Sequence, residues 1–420
     1  MPLTELMPRE CLHSPKAQPL PAFVASRVNA HHVERVEKTW GGDHLLHGRS
    51  PKPDAIHLSS NDYLCLAGQA ELVNAQIRSL EQETHDLLMS AIFLHGKNPQ
   101  SVLEAKFAQF LGYEDALLSQ SGWSANVGLI QSLAGQDNPV YLDMIAHASL
   151  WEGARAADAR AIPFMHNDVA HLERQIQKHG PGIVAVDSVY STNGSLCPIR
   201  EMAEVVERNG CVFVVDESHS LGTHGPKGAG LVAELGLQDK VHFITASLAK
   251  AFAGRAGIIS CSHRFKGYFM MEARPAIFSS CLLRHDLAWF DAALDFITTI
   301  DDRRTRLHEV SRTVRAELGA LGYNVSEGSE QIIALESGSE PQTMVLRNAL
   351  QENGIFGAVF CAPATAKNRA LVRLTLNSGL TDVELARLIE VCARIRDQVG
   401  LQDWPSTRRL KKRSVESIPA

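Results

Sequence analysis

The sequence lacks any uninterrupted apolar run of about 18 residues, the length that a membrane-spanning helix needs. Near its start stand Glu5, Arg9 and Glu10, where a secretory signal peptide would carry an apolar core. It also lacks an excess of positive charge, because 47 acidic residues outnumber 41 lysines and arginines and leave a formal net charge of −6. Such a charge gives no electrostatic reason to expect a nucleic-acid partner. We therefore expect a cytoplasmic protein that binds neither a membrane nor nucleic acid.

The cysteine patterns of metal sites and disulfide frameworks are missing as well. The eight cysteines form no C-x-x-C pair, and several of them stand within apolar runs. In a cytoplasmic protein, cysteines of this kind are expected to be reduced thiols that serve packing. We therefore expect no disulfide and no metal site.

The chain is long enough for one large domain and a smaller one, since its 420 residues are 45% hydrophobic. Prolines are frequent up to Pro21 and predict an N-terminal arm without continuous helix. The cationic run from Arg408 to Arg413 predicts a mobile basic tail. The predicted organisation is an arm and helix at 1–55, a large domain at 56–285, a small domain at 286–400 and a tail at 401–420.

Strand-like and helix-like segments alternate through the predicted large domain, which is typical of an α/β fold with a mostly parallel sheet covered on both faces. Arg200–Glu207 predicts a crossover helix that Gly210 closes. The capping pattern from Ser101 to Glu104 predicts another helix, which ends at Gly112. The predicted strands are Ala116–Leu118, Val140–Leu142, Ile183–Asp187, Cys211–Val215, Val241–Ile244 and Gly257–Ser260.

After Ser280 the pattern changes to that of a smaller α+β domain. Its last helix is predicted to begin at Thr381, because Thr381 and Glu384 have the spacing of a capping box. The segments predicted before that helix are a long helical region at Leu287–Leu321, a strand at Ile332–Leu335, a helix at Gln342–Asn353 and strands at Ile355–Phe360 and Leu371–Leu376.

Lys250 follows the apolar run Val241–Ile244, so it lies beyond the carboxyl end of a predicted buried strand. Asp216 has the same position after the strand Cys211–Val215. Ligands of open α/β sheets bind at this edge. Pyridoxal phosphate needs an amine for its Schiff base and an acidic partner for its pyridine nitrogen. Taken alone, Lys250 could be a surface lysine and Asp216 a turn cap, but the pair favours this cofactor.

Two histidines follow strand ends and could contact the same cofactor. His219 stands three residues after Asp216 and could hydrogen-bond the phenolic oxygen of the ring, although an ordinary loop histidine fits equally well. His147 follows the strand Val140–Leu142 and could stack on the ring. Many histidines in such positions only bridge backbone groups, so neither residue decides the function by itself.

The turn Ser121-Gly122 precedes a predicted helix and suggests an anion site. Backbone N–H groups at a helix start attract phosphate, and glycine permits close approach. Ser247 stands three residues before Lys250 and offers a hydroxyl to the same phosphate. A single Ser-Gly turn is weak evidence, so this site depends on its neighbours.

The order of these motifs resembles that of the α-oxoamine synthases, a family of fold-type I pyridoxal-phosphate enzymes. Its members condense an amino acid with an acyl-coenzyme A and lose carbon dioxide. The resemblance extends from about Phe23 to Val399. The matching motifs are Asn61-Asp62-Tyr63-Leu64, Ser121-Gly122-Trp123-Ser124-Ala125-Asn126, Asp143 with His147-Ala148-Ser149, Val189-Tyr190-Ser191 with Gly194, Asp216-Glu217-Ser218-His219 with Gly222, Ser247-Leu248-Ala249-Lys250 and Phe278-Ser279-Ser280.

The resemblance implies roles around the cofactor ring. Lys250 would hold the cofactor covalently, and Asp216 would contact the pyridine nitrogen. His219 would bind the ring oxygen, with Ser191 near it, and His147 would stack on the ring.

The resemblance also implies roles for the phosphate and the substrate. The backbone of Gly122 and Trp123, together with Ser247, would hold the phosphate. Ser280 would reach the same phosphate from a second subunit, which implies a homodimer. Arg373 matches the arginine that binds the amino-acid carboxylate; without the resemblance, we would expect a surface arginine on an edge strand.

Within the family, the chain most resembles the quorum-sensing autoinducer synthases that make long-chain α-aminoketones. The segments that carry this likeness are His44–Gly48, Met89–Leu94, Asp216–Pro226 and Thr245–Phe252. A glycine-serine-arginine segment common in the wider family is replaced by the more apolar Ser90–Gly96, which fits a pocket for an alkyl chain.

We therefore expect a fold-type I transferase that uses pyridoxal phosphate to join an amino acid or S-adenosylmethionine to a medium- or long-chain acyl-CoA. The product would be an α-aminoketone, a precursor of an autoinducer. The acyl length stays open, and the donor could be S-adenosylmethionine, 2-aminobutyrate or a simple amino acid. The alternatives are another α-oxoamine synthase, of the 8-amino-7-oxononanoate or 2-amino-3-ketobutyrate type, a same-fold aminotransferase and a silent partner subunit.

Overall fold

The computed structural model describes residues 18–82 and 88–416, with side chains up to residue 410. The described residues fall into two compact units, which divide between Gly48 and Arg49. Most of the predicted N-terminal arm lies outside the described residues. In the first unit, helix α1 (Ala22–Ala30) continues as the π-helical segment His31–Thr39. The predicted helix therefore forms, and it ends before two glycines with positive φ angles.

The remaining elements belong to the second unit. Its strands are β1 (Ile56–Leu58), β2 (Asp115–Ser119), β3 (Pro139–Asp143), β4 (Arg160–Phe164), β5 (Ile183–Asp187), β6 (Val212–Asp216), β7 (Phe243–Ser247), β8 (Gly257–Cys261), β9 (Ile332–Gly338), β10 (Ile355–Phe360) and β11 (Ala370–Thr375). Its helices are α2 (Ala70–Glu81), α3 (Pro99–Leu111), α4 (Gly122–Leu133), α5 (Ala148–Ala156), α6 (Val169–His179), α7 (Ile199–Arg208), α8 (Leu231–Glu234), α9 (His263–Glu272), α10 (Arg274–Ile277), α11 (Arg284–Ile297), α12 (Asp301–Ala320), α13 (Glu340–Glu352), α14 (Asp382–Ile395) and α15 (Pro405–Glu416). No helix in these described stretches has the length and apolarity needed to cross a membrane.

The larger sheet has the strand order β2-β8-β7-β6-β5-β3-β4. Five neighbouring strands from β4 to β7 pair in parallel, and β8 and β2 add antiparallel pairs at one edge. Both faces are covered, because Phe213 and Val215 of β6 lie in one apolar cluster and Val214 lies in another. The mostly parallel sheet predicted from the sequence is therefore confirmed.

Strand β4 is the one strand of this sheet that the sequence pattern missed. It lies at the edge of the sheet, and Arg160 at its start is exposed. It also contains Pro163, which cannot donate a hydrogen bond to a sheet ladder. Its sequence therefore does not have the continuous apolar pattern of the buried central strands.

The smaller sheet has the order β1-β10-β11-β9. Its β1 strand, Ile56–Leu58, pairs in parallel with Ile355–Gly357. The sequence predicts a large domain that begins at residue 56, whereas β1 belongs to the smaller sheet. The physical reason is that the partner strand comes near the other end of the chain, so no local pattern reveals the pairing.

The long helical region predicted at Leu287–Leu321 consists of two helices, α11 and α12. Ile300 has a non-helical backbone conformation between them. Asp301 and Asp302 stand in the first turn of α12, where carboxylates stabilise the positive end of a helix. This charge pattern favours a new helix start, although no glycine or proline marks the break.

Helix α3 begins before the predicted capping residue Ser101. Asn98 is the N-cap: its side chain accepts a hydrogen bond from the backbone N–H of Ser101, whose own side chain accepts one from Asn98. Pro99 follows at the first helical position, where its missing N–H has no cost. The predicted end at Gly112 is confirmed by its left-handed conformation. At α14 the predicted capping box of Thr381 and Glu384 is present.

The segment 401–420, predicted as a mobile basic tail, is ordered over its first part. Trp404 is buried, and its indole N–H donates to the carbonyl of Val399 at 2.9 Å. The indole also packs against Tyr323 with 5.8 Å between ring centroids. Burial of this large side chain fixes the start of α15, which contains the cationic run.

Candidate active site

The carboxyl ends of β5, β6 and β7 bring the predicted chemistry together at one edge of the larger sheet. Asp187 ends β5 and stands opposite Asp216, which ends β6. Ser247 ends β7, and Lys250 follows in the next turn. Burial raises the pKa of Asp187 well above its usual range, and the charge of Asp216 acts in the same direction. The edge therefore carries two neighbouring acidic side chains and one amine.

Asp216 is held by two hydrogen bonds to its carboxylate. The side-chain amide of Asn126 donates to Oδ2 at 2.6 Å, and the backbone N–H of Ser218 donates to Oδ1 at 2.8 Å. Asn126 is itself fixed, because its Oδ1 accepts from the hydroxyl of Thr245 at 2.6 Å. A buried carboxylate with its orientation fixed in this way can hold one partner at a defined position.

Lys250 is half-buried and lies within the electrostatic influence of two charged site residues. Burial lowers the pKa of its ammonium group, and the positive charge of Arg373 lowers it further, while Asp216 acts in the opposite direction. A lowered pKa increases the fraction of neutral amine, which is the form that attacks a carbonyl carbon.

His219 is buried with its Nδ1 atom 2.5 Å from the hydroxyl of Tyr63. Burial lowers the pKa of His219 well below its usual range, and the charges of Lys250 and Arg373 act in the same direction. Burial also raises the pKa of Tyr63, so both groups are neutral at pH 7. When Tyr63 donates to Nδ1, the imidazole presents its Nε2–H as a donor.

His147 caps the N-terminus of α5 and is anchored to the same sheet edge. Its backbone N–H donates to Oδ2 of Asp187 at 2.9 Å, and its Nδ1 lies 2.7 Å from the hydroxyl of Ser149. Burial lowers the pKa of His147, although the charge of Asp216 acts in the opposite direction. The indole of Trp123 stands edge-to-face to it at 6.1 Å. The ring therefore has a fixed position and is mostly neutral at pH 7.

The start of α4 packs so closely against β7 that only glycine fits. A Cβ atom on Gly122 would lie 2.5 Å from Cβ of Ser247. Ser121 caps the helix by accepting a hydrogen bond from the N–H of Ser124 at 3.1 Å. The N–H groups of Gly122 and Trp123 stand in the first turn and have no acceptor within the helix. Together with the hydroxyl of Ser247 they form an arrangement suited to an anion.

Ser191 and Ser280 lie in different surroundings. The carbonyl of Ser191 accepts a hydrogen bond from Arg373 at 2.8 Å, so the turn after β5 contacts the site. Ser280 is exposed, and its carbonyl accepts from the side-chain amide of Gln120. Ser280 thus lies near the residues that lead into α4. Its contribution to a second subunit stays a prediction.

Arg373 is buried on a central strand, since β11 lies between β10 and β9. One terminal nitrogen donates to the carbonyl of Ser191, and the other donates to Oδ1 of Asn61 at 3.1 Å. The guanidinium carbon lies 4.5 Å from the ring centroid of Phe360. Its Nε has no partner among the described residues. The alternative of an exposed arginine on an edge strand is therefore wrong. A buried cation with no carboxylate partner among the described residues favours the binding of an anion.

A cavity of about 880 Å³ borders Trp123 and the turn before His147. This volume lies within the range of small-molecule binding sites. Its wall has an apolar part and a part with charges of both signs. The lining includes Trp123, Met144, Ile145, Ala146, Trp151, Arg155, Glu327, Glu336, Arg369, Leu371 and Arg409.

The segment Ser90–Gly96 lines a second cavity, of about 270 Å³. Ile92 and Leu94 contribute apolar atoms from this segment, and Met270 faces them from α9. The cavity is not entirely apolar, because Lys266 and Glu104 also line it and form an ion pair of 2.8 Å. The predicted use of this segment for an alkyl chain stays a prediction.

The structure adds contact residues that sequence reasoning gave no role. Asn126 and Tyr63 stood inside recognised motifs, and the structure places them against Asp216 and His219. The sequence feature that could identify both residues is a polar side chain at a fixed place in a motif. Asn61 contacts Arg373 across more than 300 positions of sequence, which no local pattern could reveal.

Glu217, next to Asp216, gives the site a pH-dependent stability. It is fully buried, and burial raises its pKa from 4.5 to about 7. Between these values the folded state holds one proton that the unfolded state has lost, so the free energy of unfolding falls as pH rises. Glu217→Gln is expected to flatten this slope between pH 4.5 and 7, a difference of roughly 3 kcal/mol. Urea unfolding of both proteins across this range measures it, and parallel slopes would contradict it.

A mostly parallel sheet with an acidic side chain at the end of one strand and a lysine beyond the end of its neighbour is the arrangement expected of a fold-type I transferase dependent on pyridoxal 5′-phosphate. The chain belongs to the aminotransferase class I and II family, whose model matches residues 53–391. It is 43% identical to the CAI-1 autoinducer synthase of Vibrio campbellii over 378 residues, which cover 90% of this chain and 96% of that protein. It is 30% identical to an 8-amino-7-oxononanoate synthase of Anaeromyxobacter dehalogenans over 342 residues, 81% of this chain and 86% of the relative.

A solved structure of SPT with PLP has the same fold, with a TM-score of 0.82 and 24% identity, covering 90% of this chain and 99% of that one. The resemblance to the α-oxoamine synthases is thereby confirmed. The residues present also fit the cofactor. Asp216 is buried and oriented, and the absence of a Cβ on Gly122 lets Ser247 pack directly against the start of α4, where a phosphate would be bound.

Proposed function

We propose that the protein joins an amino acid, or S-adenosylmethionine, to a medium- or long-chain acyl-CoA and releases carbon dioxide. In this reaction a carbon–carbon bond forms at the donor's α-carbon while the thioester bond breaks and free coenzyme A leaves. The carbon–carboxylate bond then breaks, and a proton replaces the lost carbon dioxide. The product is an α-aminoketone, which we propose is the precursor of a quorum-sensing autoinducer, since the relative of 43% identity is named as an autoinducer synthase.

The observation that carries this proposal is the buried guanidinium of Arg373, which forms no ion pair with a carboxylate among the described residues. Its charge influences the pKa of both Lys250 and His219, so the three side chains belong to one site. An uncompensated buried cation destabilises a fold unless a ligand supplies the opposite charge. The carboxylate of an amino donor supplies that charge, and its position next to the donor's α-carbon suits a lysine that acts on this carbon.

Different site residues would bind different parts of the cofactor. Gly122 and Trp123 would bind its phosphate through their backbone N–H groups, and Ser247 through its hydroxyl. Asp216 would bind the ring nitrogen, and the Nε2–H of His219 would donate to the ring oxygen. When bound, pyridoxal phosphate supplies an electron sink for the negative charge that develops on the donor's α-carbon.

Lys250 is the residue that we propose moves the protons. Its lowered pKa leaves a larger fraction of neutral amine, which can take a proton at the donor's α-carbon. The same amine, once protonated, can return a proton to that carbon after carbon dioxide has left. The charge of Asp216 acts on the pKa of Lys250, so Asp216 would also stabilise the positive charge that Lys250 acquires when it takes a proton.

The cavity of about 880 Å³ is the proposed entrance for acyl-CoA. It borders Trp123, whose indole stands edge-to-face to the ring of His147, so it lies next to the proposed cofactor site. Apolar residues such as Met144 and Leu371 suit an acyl or pantetheine chain, and Arg155 suits a phosphate.

The test is to mix the purified, cofactor-loaded enzyme with acyl-CoA thioesters of graded length and with each candidate donor. Release of free thiol and the mass of the product identify the reaction. We expect thiol release only when a donor with a carboxylate is present, together with a product that lacks that carboxylate. Amino-group transfer to a keto acid without thiol release would instead identify an aminotransferase. A colourless protein that binds no cofactor would identify a silent subunit.

We also propose a homodimer in which Ser280 contacts the phosphate of the neighbouring subunit. Lys250→Ala and Ser280→Asp should each be inactive or nearly so, because the second variant places a negative charge beside the phosphate. Mixed dimers of the two variants would then contain one intact site, since Lys250 and Ser280 of each site come from different chains. Restored activity on co-expression, measured against each variant alone, is the expected result. Its absence in isolated mixed dimers would place Ser280 in its own subunit's site or outside any site.

A further inference from the structure

Two histidines and a glutamate that are not among the catalytic groups lie close together beside the loop that carries His219. His224 lies on the loop after β6, His308 on α12 and Glu330 just before β9. Their potential ligand atoms all lie within 4.8 Å of one another. Nε2 of His224 is 2.9 Å from Oε2 of Glu330, and Nδ1 of His308 is 3.7 Å from the same oxygen. The three residues are far apart in the sequence, so their spacing does not have the form of a metal-binding motif.

The hydrogen bonds of Thr223 orient the imidazole of His224. The single proton of the Thr223 hydroxyl lies near the carbonyls of Ser220, at 3.0 Å, and His219, at 3.2 Å, and both can only accept. When that proton is donated to one of these carbonyls, the hydroxyl accepts from Nδ1 of His224, which is 2.9 Å away. In the neutral ring, Nε2 is then the nitrogen with a lone pair, and it faces the carboxylate of Glu330.

His308 is oriented in the same manner. Its Nε2 lies 2.9 Å from the backbone carbonyl of Thr223, which can only accept, so this nitrogen carries the proton. In the neutral ring, the lone pair of Nδ1 is on the side of Glu330. Two imidazole lone pairs and a carboxylate oxygen therefore point to a common centre.

Three potential ligand atoms around one point can hold a cation, which would replace the proton that otherwise joins Nε2 of His224 to Glu330. We propose that His224, His308 and Glu330 bind a divalent transition-metal ion, with Zn²⁺ the best fit to two imidazole nitrogens and one carboxylate oxygen. Tetrahedral zinc with bonds of about 2.05 Å separates its ligands by roughly 3.3 Å. The two separations from Glu330, 2.9 and 3.7 Å, bracket this value, and the two histidine nitrogens lie within 4.8 Å of each other. Water completes the coordination from the side of His308, whose side chain is 29% exposed and provides an entry path.

The hydrogen bonds that hold the two histidines in place have the form found behind the ligands of metal sites. With these tautomers, each imidazole donates its other N–H to an oxygen of Thr223, which fixes the ring and directs the lone pair inward. The site also reaches the catalytic loop, because Gln331, next to Glu330, donates to the carbonyl of His219 at 2.9 Å. A bound ion therefore joins α12, the start of β9 and the loop of His219, and its role is to stabilise this loop.

The experiment uses the cofactor-loaded protein after dialysis against a chelator. Zn²⁺ is titrated by calorimetry, and Co²⁺ is added separately as a spectroscopic probe of coordination. We expect about one high-affinity Zn²⁺ per chain and the visible absorption of four-coordinate Co²⁺. Glu330→Gln and His308→Ala should weaken Zn²⁺ binding by roughly 100-fold or more, since even the loss of a supporting contact costs 10–100-fold. Zn²⁺ should also raise the Tm of the unaltered protein and not that of these variants.

His263→Ala is the matched control, because His263 also contacts a carboxylate, Asp115 at 2.7 Å, but lies on the surface. This variant should bind Zn²⁺ like the unaltered protein. Equal affinity in Glu330→Gln, His308→Ala and the unaltered protein would place the ion elsewhere and overturn the proposal. Failure of the unaltered protein to bind Zn²⁺ or Co²⁺ would show that a proton alone joins His224 to Glu330. The cobalt spectrum requires no variant, so the test does not depend on the folding of an altered chain.

Discussion

Replacing Lys250 with alanine is expected to lower kcat by at least about 10⁴-fold, the largest effect of any single substitution in this site. The physical reason is that Lys250 holds the cofactor and is also the amine placed to move protons at the donor's α-carbon. Single-turnover assays with acyl-CoA and donor measure the loss directly.

The Lys250 variant should keep its fold and some affinity for the cofactor, because the contacts of Gly122, Ser247 and Asp216 remain. Lys178→Ala is the matched control, since Lys178 is exposed on α6, and it should retain full activity. Borohydride treatment of the unaltered enzyme, followed by peptide mapping, should place the reduced label on Lys250. A label on another lysine, or substantial activity in Lys250→Ala, would disprove the assignment.

The central sheet could be predicted from sequence because each buried parallel strand is a short, continuous apolar run. Ile183–Asp187, for example, matches its predicted bounds residue for residue. The polar residue at the end of such a run marks the sheet edge where ligands bind. This is why Asp216 and Lys250 could be named as a pair before any tertiary contact was known.

Features that depend on pairing between distant segments could not be predicted in this way. The position of Arg373 is an example: its strand alternates like an edge strand, but β10 and β9 flank it on both sides. The neighbours of a strand are set by the topology of the whole chain. The same limit applies to Ile56–Leu58, which the sequence pattern places in the larger domain but which pairs with Ile355–Gly357.

The environment of a catalytic residue was also less predictable than its identity. The sequence indicated His219 as a donor to the cofactor, but its neutrality depends on burial and on the charges of Lys250 and Arg373. Its tautomer depends on Tyr63, a residue 156 positions earlier. Only the folded chain brings these groups together, so pKa and proton position are tertiary properties.

Replacing Arg373 with alanine is expected to raise the KM for the amino donor by a factor on the order of 10 to 100. This corresponds to roughly 1.5–3 kcal/mol, the range for a hydrogen-bonded charge pair. The KM for acyl-CoA should change little, because the proposed cavity for the thioester borders Trp123 and Arg155 and not the guanidinium. Initial rates with each substrate varied in turn separate the two constants.

The shape of the guanidinium makes a second, sharper test possible. Arg373→Lys should recover only part of the donor affinity, since one ammonium cannot form two parallel bonds to a carboxylate. Arg373→Met keeps most of the side-chain volume and removes a buried charge that lacks a carboxylate partner. Its Tm without donor should therefore equal or exceed that of the unaltered enzyme, although donor binding is weakened. Arg312→Ala, at an exposed position of α12, should change neither constant. A raised KM for acyl-CoA with an unchanged KM for the donor would move Arg373 to the thioester side of the site.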